Sequence, residues 1–153
     1  MDNLNINSLF CFNFDEQTNS FFNCFDKISL KNIGLNKFDL VILTNKLEAI
    51  LFHVEVFLCK EGDDGKLERI VDSFQFNIPK EGMTANREDG TITESDTFIR
   101  EISIEKLKEN GEGRYLLMIF GKKIDSEEYV TQKSYSIKEM EFVSQSVLNV
   151  SID

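Results

Sequence analysis

The chain has no tryptophan, one proline, one histidine and three cysteines in 153 residues. Each shortage excludes something. With Pro79 alone, no proline-rich linker divides the chain, and its length suits one domain whose core needs no staples. One histidine and no Cys-x-x-Cys leave zinc to a convergence of unrelated strands. His53 lies mid-strand between Phe52 and Val54. Cys59 is six residues further on, roughly 20 Å along an extended strand, beyond the reach of a nucleophile–base pair. Cys11, Cys24 and Cys59 are odd in number, widely spaced and each inside an apolar run. They read as buried free thiols in a reducing cytoplasm, which makes the sequon at Asn149-Val-Ser151 silent.

Other signals are missing as well. No window approaches the roughly 18 apolar residues of a membrane helix, and Met1 to Ile6 lacks the basic start and apolar run of a signal peptide. Gly111 and Gly113 precede a strand, so no helix N-terminus stands behind them to hold phosphate. Glu61, Asp63 and Asp64 share one turn and Glu88 and Asp89 another, without EF-hand spacing; they read as solvated turn acids. Paired carboxylates fall only in turns, where water keeps them ionised and nothing apolar tunes one as an acid. The expectation is a protein that is not an enzyme and holds no metal or cofactor.

Positive charge is also scarce. The net charge is −10, which opposes nucleic acid and anionic membranes as direct partners. Residues 81–105 carry seven carboxylates against Arg87 and Arg100 only, so half of the net charge sits in one sixth of the chain.

What is abundant is phenylalanine, 14 of 153 residues, a side chain suited to pleated, half-buried surfaces. Phe10, Phe12 and Phe14 alternate, and a polar turn over 15–20 leads to a second strand over 21–30. The alternation breaks near Phe25, as at a bulge. Phe38, Leu40 and Ile42 mark a third strand. Phe52, Val54, Val56 and Leu58 point one way in a fourth, with His53, Glu55, Phe57 and Cys59 on its other face. Turn residues 61–65 lead to a partner strand through Phe74 and Phe76 to Ile78, which Pro79 ends. A long acidic loop follows to about Thr93. Then come a strand over 98–104, one helical turn over 105–109, and an apolar strand from Tyr115 to Phe120. Tyr129 to Ile137 reads as its returning partner. From Lys138 the chain is ambiguous, though Leu148, Val150 and Ile152 alternate as in an extra edge strand.

Eight or nine short strands predict an all-β, immunoglobulin-like antiparallel sandwich over 1–138, with a tail over 139–153. Gly113-Arg-Tyr115 sharpens this. In such sandwiches a tyrosine near the start of a late strand returns its hydroxyl to upstream backbone while its ring packs between the sheets.

Three segments carry a family resemblance: the Phe-rich hairpin (Leu9 to Phe14, then Phe22-Asn-Cys-Phe-Asp-Lys-Ile28), the strand ending Phe74-x-Phe-x-Ile-Pro79, and Gly113-Arg-Tyr-x-Leu. Over roughly residues 8–138 the chain resembles an uncharacterised family of small bacterial and phage-borne immunoglobulin-like domains. It departs from them in the long acidic stretch after Pro79 and in its apolar tail. The resemblance implies a sandwich, a cytoplasmic setting and no catalytic residue.

Two functional readings follow. The first is a non-catalytic protein-binding module, an adaptor or scaffold, using the 79–97 loop and the tail edge at Leu148, Val150 and Ile152; that edge would also pair with its twin in a homodimer. The second is an acidic inhibitor, of the kind a phage would encode, that occupies the nucleic-acid groove of a host defence protein with Glu88, Asp89, Glu94 and Asp96.

Overall fold

The computed structural model describes residues 4–15, 17–18, 20–31, 34–46, 50–78, 84–85, 92–124 and 136–152. Among the described residues there are ten strands: β1 Leu4–Asp15, β2 Ser20–Phe25, β3 Lys27–Ser29, β4 Lys37–Lys46, β5 Leu51–Glu61, β6 Leu67–Ile78, β7 Thr84–Ala85, β8 Ile92–Ser103, β9 Gly113–Ile124 and β10 Glu141–Ser151. Helix α1 spans Ile104–Asn110, and a 3-10 turn covers Ile137–Glu139. The helical content thus exceeds the single turn expected.

The strands form two five-stranded sheets, ordered β2-β1-β4-β8-β7 and β3-β10-β9-β5-β6. This is an immunoglobulin-like sandwich. The inner faces follow the alternation of the sequence: Phe38, Leu40 and Ile42 of β4 meet Phe52, Val54, Val56 and Leu58 of β5 in one buried core. Phe10, Phe12, Phe25 and Phe38 form an aromatic group on the first sheet, with Phe12 and Phe25 stacked at 4.4 Å between centroids.

The break near Phe25 is a change of sheet. β2 pairs with β1, whereas β3, one residue further on, pairs parallel with β10 in the other layer. Asp26 sits at the crossing, and its carbonyl accepts from Asn149 N at 2.8 Å. A strand that leaves one sheet for the other must shift its inward positions, which disturbs the alternation.

The C-terminal segment is likewise not an edge over Asn149–Ser151, where β3 covers it. β10 lies between β9 and β3, so the domain runs through to Ser151. Leu148 and Val150 belong to the core. β10 takes the role expected of 129–137 as the partner of β9; of that predicted strand only Ser136 and Ile137 fall among the described residues, at the 3-10 turn.

Two devices close the sandwich near β6 and β8. Phe76 stacks on Phe98 at 4.0 Å. Beside them Asp72, an inward carboxylate on β6, receives Lys106 Nζ from α1 at 3.0 Å and Arg100 from β8 at 3.4 Å. On the opposite side the hydroxyls of Ser8 and Ser146 meet at 2.5 Å.

The link into β9 carries the tyrosine. Ser103 caps α1 by accepting from Glu105 N, and Gly111 ends it at φ 84°, ψ −179°, a conformation open essentially to glycine alone. The Tyr115 ring is fully buried, and its hydroxyl donates to the Gly111 carbonyl at 2.6 Å. Burial holds that phenol up at about 12.

Candidate protein-binding face

The outer face of an antiparallel sheet normally alternates to polar residues. On the second sheet it does not. Register across β6, β5, β9 and β10 places Ile70, Cys59, Leu116 and Val147 in one transverse row. The next row centres on Phe57 and Met118, and the one beyond on Phe120 and Phe142. Phe120 stands edge-on to Phe57 at 5.9 Å and to Phe142 at 5.8 Å.

This apolar band is partly open to solvent: Cys59 and Leu116 are buried at its centre, Phe57, Met118 and Phe120 are half-buried, and its margins are exposed. Ile70 is 60% exposed, Phe142 51%, Leu67 49% and Ile137 47%. A groove of about 300 Å³ runs through it, lined by Phe57, Cys59, Leu67, Ile70, Met118 and Phe120 among others. Charges gather at its rim, where Arg114 reaches Glu61 at 3.8 Å and Arg69 reaches Glu68 at 3.9 Å. Single exposed apolar side chains are commonplace, whereas a contiguous apolar band across four strands is what interaction surfaces, ligand grooves and aggregation-prone faces have in common.

The same face holds His53, which is buried at its far end. Its Nδ1 bonds Asn77 Oδ1 at 2.9 Å and its Nε2 lies 3.6 Å from Glu55. Cys59 is buried too, its thiol pushed up by that burial. In the 61–65 turn, Asp64 Oδ1 accepts from Lys66 N, the local bond expected of a turn aspartate. Among the described residues no three His, Cys, Asp or Glu side chains converge as metal ligands would. No helix of the described residues is long and apolar enough to cross a membrane.

The predicted contact residues fare differently. Glu88 and Asp89 lie outside the described residues. Glu94 and Asp96 fall within β8, which begins at Ile92 and not near Phe98; they stand opposite Lys46 and Thr44 of β4. Leu148 and Val150 are buried, and β3 occupies the backbone of Asn149–Ser151, so this stretch is no free edge. Only Ile152 is exposed, beside Leu30, Lys31 and Lys108 at a shallow depression. Among the described residues, the acidic pair on β8 and the apolar residues of β10 lie in different sheets. Alternation within single strands does not reveal the apolar outer band, although Phe57 and Cys59 on the second face of β5 and the two-sided apolar run of β9 are its signals.

No family model and no curated protein matches the chain. A solved structure with some likeness is a bacterial adhesin from Mobiluncus mulieris containing intramolecular disulfide, isopeptide and ester bond cross-links. In two crystal forms it gives TM-scores of 0.49 and 0.47 at 8% identity, covering 97% of this chain. The chain spans 58% of that adhesin chain.

Proposed function

We propose that the protein is a non-catalytic binding module that docks a second protein on the outer face of β6, β5, β9 and β10. The observation that carries this reading is the Phe57–Phe120–Phe142 ladder, half-buried at Phe57 and Phe120 and exposed at Phe142, with exposed Ile70 and Leu67 on the same groove. Aromatic side chains in such a setting supply large contact area at little entropic cost. The chain's charge of −10 sets the partner's chemistry. Its centre is apolar and its rim neutral or basic, since an acidic partner, including a second copy of this chain, is repelled over the whole approach.

The test places a photo-crosslinking residue at Phe142 and, as control, at Glu105. The protein captured at 142 alone is identified, purified and titrated calorimetrically against wild type and against the Ile70→Glu, Phe142→Glu double variant. Expected are a negative heat-capacity change, at least tenfold weaker binding by the variant, and little dependence on salt. Equal binding by both proteins overturns the reading. A dimer in light scattering that the variant abolishes would install a second copy as the occupant instead. Binding that collapses with added salt and with charge reversal at Glu88, Asp89, Glu94 and Asp96 would favour the acidic inhibitor.

A further inference from the structure

Cys11 of β1 and Cys24 of β2 are direct cross-strand neighbours, in a register that runs from Phe10 opposite Phe25 to Asp15 opposite Ser20. Directly opposed residues of an antiparallel pair have Cα atoms about 4.5 or 5.5 Å apart and project from the same face. Disulfides span about 4.4–6.8 Å between Cα atoms. The separation expected of this register therefore falls within the span of a disulfide. On the other face Phe25 packs against Phe10 and Phe12, which holds the register in place.

The two thiols differ in access. Cys24 is exposed and Cys11 is buried. Burial first, then the Asp39 carboxylate and Cys24 itself, push the Cys11 thiol up to about 11. A reagent from solution therefore meets Cys24 first.

We propose that Cys11 and Cys24 are a redox modification site, closing to a cross-strand disulfide by exchange with a small-molecule disulfide of the glutathione class. The Cys24 thiolate attacks one sulfur of the oxidised tripeptide, whose S–S bond breaks and releases one glutathione thiolate. Cys11 then gives up its proton, and its thiolate attacks the Cys24 sulfur and expels the second glutathione. The two protons lost by the protein are taken up by the two released thiolates. The protein pair is oxidised and the small disulfide is reduced to two thiols. In reducing conditions the pair rests open. Oxidation staples the edge hairpin of the first sheet and leaves Cys59, on the other sheet, as a bystander.

The test incubates the full chain in glutathione redox buffers at about pH 8, blocks remaining thiols under denaturing conditions, and reads intact mass and peptide map. The expected product is a monomer lacking two hydrogens, with the Cys11 and Cys24 peptides joined and Cys59 alone alkylated. Its denaturation midpoint rises relative to the reduced form. Cys11→Ser should stall as a mixed disulfide at Cys24, and Cys24→Ser should stay reduced. Wild-type protein that stalls at the mixed disulfide, links two chains through Cys24, or remains a free trithiol overturns the proposal.

Discussion

The Tyr115 hydroxyl donates to the Gly111 carbonyl four residues upstream, tying β9 to the turn that delivers it. The ring of the same residue fills the core while the oxygen secures backbone. Tyr115→Phe keeps the ring and removes the bond. It should cost about 1–2 kcal/mol, the usual net value of a buried hydrogen bond plus part of an unpaired acceptor. At this chain length that is a fall in Tm of roughly 2–8 °C. A urea series with unchanged slope would report it, and an unchanged midpoint would remove the bond from the account of stability.

Alkaline pH should weaken the fold in a defined window. Tyr115 is raised from 10.0 to about 12 and Cys11 from 9.0 to about 11, both chiefly by burial. Each group holds its proton more tightly folded than unfolded. The stabilising contribution is present in full below pH 9 and drains away as pH rises through the folded values. Denaturant midpoints measured from about pH 8 to 11.5 should fall. Cys11→Ser should flatten the lower part of the curve and Tyr115→Phe the upper part.

The Asp72 carboxylate has two cationic partners that substitute for one another. Lys106→Met or Arg100→Met alone should cost under about 1 kcal/mol, because the remaining cation still faces the acid. Together they leave a buried charge without a counter-ion, which costs about 3 kcal/mol or more. A double-mutant cycle measures that excess. Additive effects would mean that the stripped carboxylate reaches water.

Leu148 is fully buried in a strand flanked on both sides at its C-terminal end. Leu148→Ala should destabilise by about 2–5 kcal/mol. A chain ending at Lys138 loses all of β10 and should fail to give a cooperative thermal transition. Ile152→Ala, at an exposed position, should change stability by less than about 0.5 kcal/mol.

The layered fold was readable because period-two alternation marks the inner faces, as with Phe38, Leu40 and Ile42 in β4 and Phe52, Val54, Val56 and Leu58 in β5. The tyrosine was readable because its requirement is local, a glycine turn just ahead of an apolar run. Three things were not. The change of sheet at Asp26 depends on a partner more than a hundred residues away, so only its side effect, broken alternation, showed. The early start of β8 at Ile92 was hidden because Thr93, Glu94, Ser95 and Asp96 look like loop, yet backbone pairing with β4 extends the ladder regardless of composition. The apolar outer band was invisible as a band because register decides which residues become neighbours. Phe57, Phe120 and Phe142 are each ordinary in their own strands, and only the ladder aligns them.

The parallel pairing of Lys27–Ser29 with Asn149–Ser151 has a bearing on synthesis. The strand that takes up the third element of the chain is synthesised more than a hundred residues after it. Until it emerges, β3 has no strand to pair with, and Ile28 and Leu30 lack Leu148 and Val150 from their core. Such wide sequence separation makes slow closure the norm, and a nascent chain of this kind depends on its dense negative charge to stay apart from its siblings meanwhile.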